Sequence, residues 1–206
     1  MLLRLVPSSP VFASTCPGKS GRSHNGKLQA SETLINGALN INTERRNTQP
    51  EDFDFIIGHW TVEHSRLKTR LAGCREWVEF SGESNTRKVL GGLGNVEDNL
   101  LRLPEGDYRA AAFRSYDTAS KQWAIWWLDT RNPHRLDVPV IGQFNDGMGV
   151  FYADDELNGI AIRVRFTWSV PADGAPRWEQ AFSADSGVTW ETNWKMKFTR
   201  STERFD

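Results

Sequence analysis

Four side chains in this sequence are suited to moving protons: His64, Glu79, Glu97 and Asp129. His64 follows Trp60 and Val62 in an alternating run, so on a strand the three turn to one face. An unperturbed imidazole titrates near neutral pH, which suits a general acid or base, or a ligand contact. The same spacing fits a core or rim histidine held by hydrogen bonds, and both readings stand at this point. Glu79 alternates with Trp77, and Glu97 shares its parity with Asn95. Two inward carboxylates in different surroundings can divide acid and base roles. They could instead pair with Arg163 and Arg165, unless the apolar row Ile162, Val164, Phe166 and Trp168 takes the inner face and puts both arginines outside. Asp129-Thr130-Arg131-Asn132-Pro133 ends a Trp-rich run. Polar groups at a strand end beside a cavity mouth suit orientation of a polar ligand group, and they suit a capped turn equally.

Other chemistries find little support. Cys16 and Cys74 are the two cysteines; Cys74, near a turn, reads as a plain buried or half-buried thiol with no base spaced to activate it. No HExxH, zinc spacing or Ser-His-Asp pattern is present, so no metal or cofactor is expected. Gly91-Gly92-Leu93-Gly94 lacks the GK[ST] ending of a phosphate loop and reads as a bulge or bend between strands. The 25 Lys+Arg balance 26 Asp+Glu, which argues against duplex nucleic acid or an anionic membrane as partner. No apolar run approaches the ~20 residues of a membrane span.

The elements that must position these groups are strands. From Asp52 onward, runs rich in Val, Ile, Phe, Tyr, Trp and Thr alternate with period two between Gly, Pro, Asn, Asp and Ser turns. They make about ten strands in a meander without a long amphipathic helix, the pattern of an all-β, antiparallel up-and-down barrel. All nine tryptophans fall between Trp60 and Trp194. Parity turns Trp123, Ile125 and Trp127 to one face, likewise Trp178, Gln180 and Phe182, and likewise Trp190, Thr192, Trp194, Met196 and Phe198. Residues 1–50 carry one aromatic, Phe12, and no acidic residue before Glu32. They read as a disordered or targeting extension, with a short helix at 34–43, ahead of a barrel domain at 51–206. The expected compartment is cytoplasmic, or an organelle if residues 1–31 act as a transit peptide.

The run Phe53-Asp54-Phe55-Ile56-Ile57-Gly58-His59-Trp60 resembles the opening of calycin-type barrels, in which a Gly-x-Trp closes one end against a basic residue of the last strand. Arg200 is the matching candidate. With LGGLGNVED (90–98), WLDTRNP (127–133) and WEQAFSADSGVTWETNW (178–194), the stretch 53–200 is similar to uncharacterised bacterial lipocalin-like or nitrobindin-like barrels. That resemblance implies a calycin-like fold with a small-molecule cavity, and no particular reaction. Nitrobindins hold haem through a late-strand histidine, and this sequence has none after His134. Ser183-x-Asp185-x-Gly187-x-Thr189-Trp190 matches the Asp-box of sialidases, a structural hairpin turn in its known settings.

Three functions follow as expectations. The first is a barrel that binds a small, largely apolar or aromatic molecule among Trp60, Trp77, Trp123, Trp127 and Trp194, with Asn95, Arg131 and Gln180 as polar contacts. The second is a cofactor-free isomerase, cyclase or hydratase in the same cavity, using His64, Glu79, Glu97 and Asp129. The third is an interaction module whose tryptophans fill the barrel.

Overall fold

The computed structural model describes residues 50–202. The readings that fall on residues 1–49 lie outside the described residues. Ten strands follow in chain order: β1 Gly58–Leu67, β2 Trp77–Val89, β3 Gly94–Leu103, β4 Gly106–Asp117, β5 Gln122–Asp129, β6 Val140–Asn145, β7 Met148–Leu157, β8 Ile160–Ser169, β9 Arg177–Ser183 and β10 Glu191–Arg200. Each pairs antiparallel with its neighbours in sequence, and β1 pairs with β10 from Trp60↔Arg200 to Arg66↔Trp194, which closes the barrel. Closure removes the two unpaired edges that an open ten-strand meander would leave.

One end is plugged. The chain enters through a short 3-10 turn at Asp54–Ile56, with Phe53 and Ile56 buried to 1% and 0% exposure. The Phe53 ring meets Trp123 and Phe144 edge-on, each at 4.9 Å. Trp60 Nε1 donates to the Ile56 carbonyl at 2.7 Å, and the Arg200 guanidinium lies 3.9 Å from the Trp60 ring centroid. The Gly-x-Trp and its basic partner thus meet as the sequence led us to expect. Gly58 has φ +113°, so the backbone calls for glycine, and a Cβ there would fall 2.5 Å from Arg200 Nη1 and displace that guanidinium. The Leu90–Gly92 turn between β2 and β3 is the expected bend, with Gly91 at φ 63°.

The opposite end carries the loops 68–76, 130–139 and 158–159, where β1, β5 and β7 finish. The Asp-box sits at this end as a turn between β9 and β10. Ser183 Oγ donates to Asp185 at 2.6 Å, the Thr189 amide does so at 2.9 Å, and Trp190 Nε1 bonds the Gly187 carbonyl. Hydrogen bonds from Ser183 and then Thr189 hold the Asp185 carboxyl down to about 2.

Period two failed at two places. The Asp-box turn consumes residues to Trp190, and a bulge between Thr192 and Trp194 shifts the register of β10 on β9. Asn193 is therefore buried at 0% beside Trp194, Met196 and Phe198. Trp190 leaves the inner row and stacks outside against Arg165 and Tyr152. On β2 the buried row is Phe80, Gly82, Ser84 and Thr86, so Trp77 and Glu79 face outward and the inward assignment of both is corrected. Trp77, 37% exposed, packs under the Lys195 ammonium. On β8, Ile162, Val164 and Trp168 point inward and Arg163 and Arg165 outward, so those arginines pair with neither glutamate.

Candidate functional site

Between the plug and the open-end loops lies a cavity of about 380 Å³, a volume suited to a small organic molecule. Its wall is aromatic: Trp127 from β5, Phe166 and Trp168 from β8, Trp178 from β9 and Trp194 from β10. These rings brace one another edge to face, Phe166 on Trp178 at 4.8 Å, Trp178 on Trp194 at 5.6 Å and Trp127 on Trp194 at 6.2 Å. Gln180 adds a polar group held from behind, since its Nε2 donates to the Asn193 Oδ1 that the bulge turned inward.

One side of the cavity is a buried polar network. Arg114 on β4 is 3% exposed, and its guanidinium lies 5.1 Å from the Phe53 ring and 5.2 Å from that of Trp168. It forms an ion pair with Glu97 and donates to Asn95 Oδ1 at 2.8 Å, both on β3. Ser84 of β2 donates to the other Glu97 oxygen at 2.6 Å. This arrangement compensates a charge on each side inside a barrel, where an unpaired one would be costly. Three N–H groups of cavity-lining side chains, Arg114 Nε, Asn99 Nδ2 and Trp168 Nε1, find no acceptor among the described residues.

The mouth is rich in arginine. Arg131 grips Asp129 by Nε at 3.1 Å and Nη2 at 2.6 Å, with its guanidinium 3.8 Å from the Tyr108 ring centroid. Burial raises the Asp129 carboxyl, but the Arg131 hydrogen bonds outweigh it and hold the group below the usual range. Arg70 and Arg135, from the two long loops, line the same opening, as does Asp137. Burial of its carboxyl, then the nearby Asp155, pushes Asp137 up.

The sequence-chosen residues divide accordingly. Glu97, Asp129, Trp127, Arg131, Gln180 and Trp194 line the cavity together. Asn95 stands behind Arg114, and Trp60 and Trp123 belong to the plug, where Trp123 Nε1 donates to Asp52 at 2.9 Å. His64 faces inward, as its parity required, but one layer behind the wall. It is 5% exposed, stacks on Phe80 at 4.6 Å, and its Nδ1 accepts the Trp194 indole N–H at 3.2 Å. Burial, then the Arg66 charge, lowers its pKa to about 3, so it stands as a neutral acceptor that orients Trp194. The four proton-handling candidates are thus not assembled: Glu79 is outside, His64 is screened, and Glu97 and Asp129 are each bound to an arginine.

Arg70, Arg114, Arg135, Asp137, Trp168 and Trp178 were not singled out as site residues from sequence. For Arg114 a signal existed. The β3–β4 hairpin pairs Leu103 with Gly106, and that register carries Asn95 opposite Arg114 and Glu97 opposite Ala112. The alanines at 110 and 112 leave room beside an inward arginine. No family model matches the chain, and no curated protein matches it in sequence. Among the described residues no three His, Cys, Asp or Glu side chains gather as a metal site, and no helix is long and apolar enough to cross a membrane.

Proposed function

We propose that the barrel binds a small, largely apolar or aromatic molecule in its Trp-walled cavity. The observation that carries this reading is the cavity itself, about 380 Å³ within a closed barrel and bounded by Trp127, Trp168, Trp178 and Trp194. Trp127 of β5 meets Trp194 of the opposite strand β10 at 6.2 Å, and the space beside that contact stays open. The paired Gly58-His59-Trp60 and Arg200 support a calycin-like family, in which such a cavity takes a ligand. The balanced charge supports a small-molecule partner rather than nucleic acid.

The test is native mass spectrometry of the chain purified from its own host, followed by titration of its tryptophan fluorescence with two-ring aromatics. One bound molecule per chain, and weaker binding by Trp127→Ala, is the expected result. No binding by any probe would favour the filled interaction module. Proton-transfer catalysis is the second reading, and one observation favours it: Asp137, with a raised pKa, lies at the same mouth as the depressed Asp129. Turnover abolished by Asp137→Asn with binding retained would establish it.

A further inference from the structure

The arginines of the mouth give the ligand a polarity. We propose that the mouth is an oxyanion subsite, so that the molecule taken up is an amphipathic acid: an aromatic or apolar body against the tryptophans and one carboxylate between Arg70 and Arg135. This rests on the cavity reading and specifies its ligand class.

Arg70 carries the argument. It is half-buried and lines the cavity, yet among the described residues no ion pair or hydrogen bond engages its guanidinium. Three carboxylates around this end have other partners. Asp129 is held by Arg131, Glu191 accepts the Leu71 amide at 2.7 Å, and Glu105 lies 3.8 Å from Arg66. Arg70 instead stands among cations. Burial, then Arg66 and Arg131, disfavours its charged form, and Tyr108 and Glu191 offset this only in part. A guanidinium is too basic to relieve this by losing its proton near neutral pH. An anion in the opening does relieve it. Arg135 lies on the facing loop, and no ion pair engages it among the described residues. Asp137 also lines the opening, where burial, then Asp155, disfavours its charge more than Arg135 and Arg131 favour it. The interior shows no matching excess, because Arg114 and Glu97 compensate each other. The excess positive charge therefore lies at the mouth and favours a carboxylate there, while the unmatched N–H groups of Arg114, Asn99 and Trp168 deeper in the cavity suit an uncharged acceptor.

The experiment compares naphthoate with acetylnaphthalene, an uncharged molecule of similar size, by isothermal titration calorimetry on the whole chain. In the wild type, naphthoate should bind about tenfold or more tightly, as expected for a charge-assisted hydrogen bond. Arg70→Gln should erase most of that ratio and change acetylnaphthalene affinity by less than about twofold. Its thermal midpoint should fall little, since among the described residues Arg70 makes no ion pair or hydrogen bond and loses only the weaker attraction of Tyr108 and Glu191. Equal affinity of the two probes in the wild type overturns the subsite and leaves the cavity reading standing. So does a ratio that survives both Arg70→Gln and the double variant with Arg135→Gln. Failure of both probes to bind overturns the cavity reading and the subsite with it.

Discussion

Replacing His64 with glutamine gives a sharp test of the interior. The native imidazole titrates near 3, against 6.5 for an exposed one. Below about pH 6.5 the unfolded chain takes up a proton that the native chain refuses, so stability falls as pH falls. Above that value the group contributes no pH dependence, and below about 3 the loss is complete. Each pH unit in the window corresponds to about 1.4 kcal/mol. Between neutrality and about pH 5 the wild type should lose about 2 kcal/mol through this one residue. Glutamine keeps an acceptor for the Trp194 indole and cannot titrate. Urea unfolding of both proteins at the two pH values isolates the effect, because the other carboxyls titrate alike in each. Asp185 loses its proton only near 2 and lies below the window. If His64→Gln loses as much stability as the wild type, His64 is not a buried neutral acceptor, and its place behind Trp194 is wrong.

Three further outcomes follow from the packing. Arg114→Leu strands the Glu97 carboxylate and should cost about 3–5 kcal/mol in chemical denaturation, whereas the double variant with Glu97→Leu should recover most of it. A Cβ at Gly82 would lie 2.5 Å from His64 Nε2 and 2.8 Å from the Leu100 carbonyl, so Gly82→Ala should destabilise by about 1–3 kcal/mol, read as a lowered thermal midpoint. Trp77→Ala removes an outward ring and should leave probe affinity in the cavity unchanged, in contrast to Trp127→Ala, as fluorescence titration would show.

The barrel was legible because its signal is local and repeated. Side chains alternate strictly along a strand, and turn residues mark each reversal, so ten short runs without a helix leave few architectures. The plug was legible too, since Gly58, Trp60 and Arg200 carry a recognisable pattern on the first and last strands, which closure brings together. Parity also placed His64, Trp127 and Trp194 inside. It misplaced Trp77 and Glu79 because both faces of β2 carry polar residues and only the neighbouring strands decide which is covered. It misplaced Trp190 because a single bulged residue reverses every side chain on one side of it.

The arginines that complete the site depended on tertiary structure. Arg114 reads locally as one more solvated arginine of an alternating strand. Only the register of β3 on β4 sets Asn95 against it and brings Glu97 within reach, and only closure of the barrel sets it between Phe53 and Trp168. Arg70 and Arg135 lie on loops separated by some sixty residues, and no period connects them. A sequence fixes the spacing of groups along one strand, where distance is set by covalent geometry. Charge compensation, burial and the shape of a cavity depend on distances through space, and those exist once the strands have closed.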